Sequence, residues 1–125
     1  MTKRKHKVYI ASPYSIGDAG DNVRLQMETY AELVQYGFAP MAPLWSHFQH
    51  IFKPETWETW MEIDEAWVKV SDFLLRIGGE SKGADIEVAW AKENNIPVFY
   101  NTKDLIKHIW KIRKEDYQNQ IKEID

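Results

Sequence analysis

The sequence predicts an α/β fold: a three-layer αβα sandwich on a parallel sheet of four or five strands. Three observations predict it. Short β-branched and aromatic runs alternate with stretches of helical period along the 125 residues, the pattern of βαβ units. Those runs are apolar nearly throughout, as strands covered on both faces are. Right-handed crossovers then restrict the topology, and a strand order of about 2-1-3-4 is compatible with them.

Lys7-Val8-Tyr9-Ile10-Ala11 is the first strand. Residues 1–6 before it are basic and expected to fray. Residues 12–21 form a loop, with one proline, two glycines, two serines and two aspartates in ten positions. Asp21 or Asn22 is placed as the cap of the first helix, whose inward stripe is Val23, Met27, Tyr30, Ala31 and Val34. Gly37 stops that helix. Residues 38–43 are a short strand, and their two prolines assign it to an edge or end it early. Residues 44–53 are a short helix or an ordered loop. Pro54 breaks them and opens the next helix, with Trp60, Ile63, Trp67 and Val70 inward and Asp64 one position off that stripe. Residues 72–77 are the third strand. A helix over about 84–94 follows, with Ile86, Val88, Ala89 and Trp90 inward. Residues 96–100 are the fourth strand. Thr102 caps a long last helix carrying Leu105, Ile106, Ile109, Trp110, Tyr117, Ile121 and Ile124 on one face. Without an internal repeat or a linker, residues 1–125 read as one domain of Rossmann- or flavodoxin-like type. In such sheets ligands bind beyond the carboxyl ends of the strands, where the order reverses. The loops at 12–21 and 78–84 meet there.

Composition narrows the function. A formal charge of −3 and a pI near 5.8 argue against a nucleic-acid polymer or a membrane surface as partner. Having no cysteine, the chain has neither a disulfide framework nor a thiolate zinc site. No apolar run reaches the ~18–20 residues that span a bilayer. The apolar run after the basic end is too short for a signal-peptide core, so a cytoplasmic location is expected. Six tryptophans imply a bulky core, a substrate wall or a subunit interface. His47 and His50 are three apart, but no carboxylate stands at matching spacing, so no metal site is expected. No cofactor is expected either.

The strongest local chemistry lies in Arg76-Ile77-Gly78-Gly79-Glu80-Ser81-Lys82-Gly83-Ala84-Asp85-Ile86-Glu87. A strand, a glycine-rich turn and a helix start make an anion site, because free N–H groups and the positive helix end point outward there. Glu87 in the first turn of that helix would stay ionised beside the dipole, as a nucleophile must. By itself it reads equally as a surface residue that favours the dipole. Asp64 is either a second acid/base group or an exposed residue beside the tryptophan stripe. Asp85 is a first-turn dipole residue or cap partner, and Asp72 a turn or cap acceptor. Ser81 and Gly83 are anion-binding or plain turn residues. Tyr14 and His47 line a pocket or pack a loop. Trp45 and Trp57 are core or interface residues before they are base-stacking platforms.

Taken together, Lys7-Val8-Tyr9-Ile10-Ala11-Ser12-Pro13-Tyr14, Asp64 eight residues before Asp72, and Ser81-Lys82-Gly83-Ala84-Asp85-Ile86-Glu87 resemble the nucleoside 2-deoxyribosyltransferase superfamily. The likeness runs from about residue 7 to 100. It is greatest to small phage and bacterial members of unassigned function. The nearest characterised branch is the 2′-deoxynucleoside 5′-monophosphate N-glycosidases. The resemblance implies an N-glycosidase or deoxyribosyltransferase acting on a nucleotide or nucleoside. Glu87 matches the catalytic glutamate, Tyr9 the tyrosine that hydrogen-bonds it, and Asp64 the aspartate that handles protons or the sugar hydroxyl. Ser81 and Gly83 match the hydrolase branch, where they meet a 5′-phosphate. That branch also holds the phosphate with a basic residue in the first loop; here the loop has none, and Ser12, Ser15 and backbone N–H groups stand in its place. The resemblance further implies a homodimer or larger homo-oligomer, which light scattering tests. Two other readings stand beside it: a phosphoribohydrolase like the cytokinin-activating enzymes, on Gly78-Gly79, Gly83 and Glu87, and a non-catalytic nucleotide or nucleotide-sugar binding protein.

Overall fold

The computed structural model describes residues 4–124. The expected fraying of residues 1–3 and the inward placing of the Ile124 side chain lie outside the described residues. Four parallel strands form one sheet: β1 (Lys7–Ala11), β2 (Ala39–Met41), β3 (Phe73–Arg76) and β4 (Val98–Phe99), in the order β2-β1-β3-β4. The expected order is therefore observed, with four strands and β2 at an edge. Helices α1 (Ala19–Gln35), α2 (Ser46–Phe52), α3 (Trp57–Lys69), α4 (Lys82–Glu93) and α5 (Thr102–Ile124) complete the chain, with a single 3-10 turn at Pro43–Trp45. No described helix is long and apolar enough to cross a membrane.

Strand period divides the core in two. Val8 and Ile10 pack on one face with Leu33, Phe38, Phe73, Leu75, Leu105 and Ile109. Tyr9 and Ala11 point the other way, into a layer with Val68 of α3 and Ala84, Val88 and Ala91 of α4. That parity sends the Tyr9 side chain towards α3 and α4. Ahead of β1, Arg4 makes a two-pronged pair with Asp72 at 2.8 and 3.0 Å. Asp72 also accepts the Lys7 N–H at 2.7 Å.

Several faces and caps differ from the sequence expectation. Helix α1 starts earlier, because Asp18 caps it by accepting the Asp21 N–H at 2.9 Å. Asn22 instead ties down the loop, donating to the Tyr14 and Ile16 carbonyls at 2.9 and 2.8 Å. The inward face of α1 is Val23, Gln26, Thr29 and Leu33, while Ala31 and Val34 face solvent. Gln26 is fully buried because its amide replaces main-chain partners: it donates to the Ile10 carbonyl and Ser12 Oγ and accepts the Leu44 N–H. Apolar periodicity is blind to such a residue.

Thr56 caps α3 by accepting the Thr59 N–H at 3.1 Å, so Pro54 lies ahead of the helix and not in its first turn. The buried side of α3 runs through Trp60, Met61, Asp64 and Val68, whereas Ile63, Trp67 and Val70 are 43%, 48% and 55% exposed. Asp64 thus lies on the inner face, and most of the expected stripe lies outside. In α4 the buried residues are Ala84, Glu87, Val88 and Ala91, and Ala89 is exposed. For α5, Asn101 Oδ1 accepts the Asp104 N–H at 2.8 Å, which makes Asn101 the cap in place of Thr102. Leu105, Ile106 and Ile109 are buried; Trp110, Tyr117 and Ile121 are exposed, since the helix outruns the sheet it covers.

Gly78 joins the two ligand loops. Its φ is +80°, and a Cβ there would sit 2.6 Å from Pro13 Cδ. Gly78→Ala is therefore expected to cost about 1–3 kcal/mol, read as a lower urea midpoint at unchanged m-value. A midpoint equal to wild type would mean that the loops do not touch in solution.

Candidate functional site

The site is built where β1, α3 and α4 converge. Tyr9 is fully buried and its hydroxyl donates to Glu87 Oε2. Glu87 is only 5% exposed. Asp64 lies close enough for its carboxyl to interact with both the Glu87 carboxyl and the Tyr9 hydroxyl. Ionised carboxylates only accept hydrogen bonds, so two of them side by side are stabilised when one keeps its proton. Burial pushes Asp64 up to about 6 against its hydrogen bonds to Glu87 and Tyr9. Burial, then the Asp64 charge, push Glu87 well above the usual carboxylate range; the Tyr9 hydroxyl and the more distant Arg76 charge pull the other way. Burial and the two carboxylates raise the Tyr9 hydroxyl as well, so it remains a donor.

This corrects the expectation of a dipole-held anion. Helix α4 begins at Lys82, so Glu87 stands beyond its first turn, where the dipole has faded. Desolvation by the buried face then dominates.

A cavity of about 600 Å³ opens onto this cluster. Its wall includes Ser12, Tyr14, Ser15, His47, Asp64, Ser81, Gly83 and Glu87. Those are all the residues expected in the site from sequence except Tyr9, which stands behind Glu87. Ser12 Oγ accepts from Gln26 Nε2 at 2.8 Å. The Tyr14 hydroxyl and His47 Nδ1 lie 2.6 Å apart. Ser81 caps α4, its Oγ accepting the Ala84 N–H at 3.1 Å. At Gly83 an added Cβ would meet only Met61 Sδ, at an ordinary 3.8 Å. The wall is open there, and packing does not demand glycine.

Other wall residues were not singled out as site residues from sequence. Trp60 and Met61 line the cavity from α3, Trp57 from its first turn, and His50 from α2. Trp60 had been placed inward, but as core. Lys82 lines the cavity too, with its Nζ 5.8 Å from the centre of the Trp57 ring. Its position directly after Ser81 was the available signal. Arg76 braces the turn from behind: its guanidinium donates to the Ile77 and Gly79 carbonyls at 2.6 and 2.7 Å and pairs with Asp85. A cation ending a strand just before a glycine turn is a sequence cue for that role.

Chemically, the arrangement offers two neighbouring carboxyls whose burial favours holding a proton, a phenol to orient one of them, and a cation beside a serine-capped helix start. A family model described as a domain of unknown function (DUF7768) matches residues 6–101. No curated protein matches the chain.

Proposed function

Because the chain belongs to the DUF7768 domain family, whose function is unknown, we propose its activity from its own site: cleavage of the N-glycosidic bond of a nucleotide or nucleoside, by hydrolysis or by transfer to a second base. One observation carries the proposal. Two carboxyls, Glu87 and Asp64, interact on the wall of one ligand-sized cavity, and Tyr9 braces Glu87 from behind. Cleavage at an anomeric carbon uses two carboxyls, one to meet the positive charge that builds on the sugar and one to handle the proton.

The steps balance as follows. As C1′ develops positive charge, ionised Glu87 is favoured and the shared proton moves to Asp64. The C1′–N bond breaks, its electron pair leaves with the base, and Asp64 protonates that base. Glu87 forms an ester with C1′. Water or a second base then attacks C1′, giving its proton to Asp64 and releasing Glu87 as carboxylate. Tyr9 holds Glu87 in register throughout.

Ser81, the helix start and Lys82 favour a phosphorylated substrate. Lys82 is the basic group that the first loop lacks, and a phosphate at the α4 start meets its charge. Lys82→Ala is expected to raise KM for a nucleoside monophosphate about 10-fold or more, with little change for the matching nucleoside. Equal effects on both would remove the phosphate from this end of the cavity.

The activity is tested by incubating the protein with deoxynucleoside and ribonucleoside monophosphates and with nucleosides, then measuring free base by chromatography. Base release supports the proposal. Nucleotide binding without base release from any substrate would leave a non-catalytic binding protein. Release from ribonucleoside monophosphates alone would indicate a phosphoribohydrolase.

A further inference from the structure

His50 is a cavity residue whose hydrogen bonds fix which ring nitrogen carries the proton. Its Nδ1 accepts the Trp60 indole N–H at 2.9 Å and the Glu55 backbone N–H at 3.2 Å. A nitrogen that accepts two donors holds no proton, so the neutral ring carries it on Nε2. No buried side-chain nitrogen or oxygen among the described residues lacks a partner. No hydrogen bond within the described residues takes the Nε2–H, so it is accessible to solvent, on a residue that lines the cavity.

The position is equally constrained. Trp60 and Asp64 are four residues apart on α3 and both line the cavity, which separates them by about 6 Å along the helix axis. The Trp60 ring, bonded to His50, is thus one turn from the carboxyl that meets Glu87. A base whose glycosidic nitrogen lies at the carboxyls would extend along the cavity wall from the Asp64 turn towards the Trp60 turn and α2. The indole N–H is already used, so the wall at that edge presents a donor.

We propose that His50 is a specificity-determining residue: a neutral Nε2–H donor, held in its tautomer by Trp60, that reads the edge of the base opposite the glycosidic bond and selects an oxo group there over an amino group. The inference rests on the base-releasing function proposed above, but it concerns binding and is read without turnover. A base with a carbonyl at that edge (uracil, hypoxanthine) accepts from Nε2–H. Its amino counterpart (cytosine, adenine) sets donor against donor and leaves both unpaired.

The test is equilibrium binding of free uracil, cytosine, hypoxanthine and adenine by calorimetry. Wild type should bind each oxo base about 10-fold or more tightly than its amino partner. His50→Asn keeps an acceptor near the Nδ1 position but has no donor at Nε2, and should lose the preference. His50→Gln carries an amide N–H near the Nε2 position and should retain most of it. The opposite ranking, with His50→Asn like wild type and His50→Gln impaired, would show that His50 merely holds Trp60, and would overturn the proposal. So would a wild type that binds none of the bases, or binds both kinds equally. A measurement on the unaltered protein guards against misfolded variants: in 15N-histidine NMR, the Nε2–H tautomer should be present and its signal should move with uracil or hypoxanthine. An Nδ1–H tautomer, or an unmoved signal, also overturns it. If base binding follows the expected pattern while no nucleotide or nucleoside is cleaved, the glycosidase reading fails and the His50 assignment stands.

Discussion

Glu87→Gln will lower base release at least ~10³-fold while substrate binding changes little. The variant keeps the size of the side chain and can still accept from Tyr9, but an amide neither attacks C1′ nor carries the negative charge that stabilises it. The loss should fall on kcat, because the carboxylate acts on charge that develops only in the transition state. Single-turnover assays with the substrate found in the chromatographic screen measure it. Release by Glu87→Gln within 10-fold of wild type would sink the mechanism. Tyr9→Phe should be milder, since it removes only the group that orients Glu87.

The second large effect is on stability and runs in the opposite direction. Asp64→Asn should raise the unfolding free energy at pH 8 while abolishing base protonation. In an unfolded chain Asp64 titrates near 3.8; in the fold, burial raises it to about 6. A raised carboxyl favours the fold below its unfolded pKa, and that contribution is lost as pH rises through the folded value. At pH 8 the native state therefore bears a cost of about 3 kcal/mol from this group. Asparagine does not ionise and escapes it. We expect a gain of about 1–3 kcal/mol at pH 8 that vanishes below pH 4, followed by urea titration at both values. Equal stability changes at the two pH values would refute a strained Asp64. If the proposed cleavage is confirmed, its rate should fall as pH drops through about 6, because protonating Asp64 as well as Glu87 removes the nucleophile.

Much of this was legible in the chain. The alternation of apolar runs and helical stretches gave four strands in the right order, and the glycine turn after β3 pointed to the cavity that makes the candidate site. The loss came at helix faces. In α3, hydrophobicity points to Ile63, Trp67 and Val70, yet these are exposed and Asp64 is turned inward. In α4, Ala89 was expected inside and Glu87 occupies that side. A periodicity argument assumes that buried means apolar. Where a helix turns carboxyls inward, it fails by rotating the helix away from them. Gln26 of α1 shows the same failure for a structural amide. His50 and Trp60 were hard to assign for another reason: their roles depend on a bond between α2 and α3, which no local pattern encodes.

Stiffness is unevenly distributed around the cavity. One side is β1, β3 and α4, where Tyr9, Leu74, Ala84 and Glu87 are packed in the core. The other side is α2, a seven-residue helix with no buried residue of its own. Short helices without core contacts open at little cost, while core strands open only with the whole fold. The reacting carbon would then be met by a rigid surface, and the base by a compliant one. On the proposed function, a substrate would enter past α2 without disturbing the Tyr9–Glu87–Asp64 geometry, and base preference would drift in evolution through α2 while the two carboxyls stay where they are.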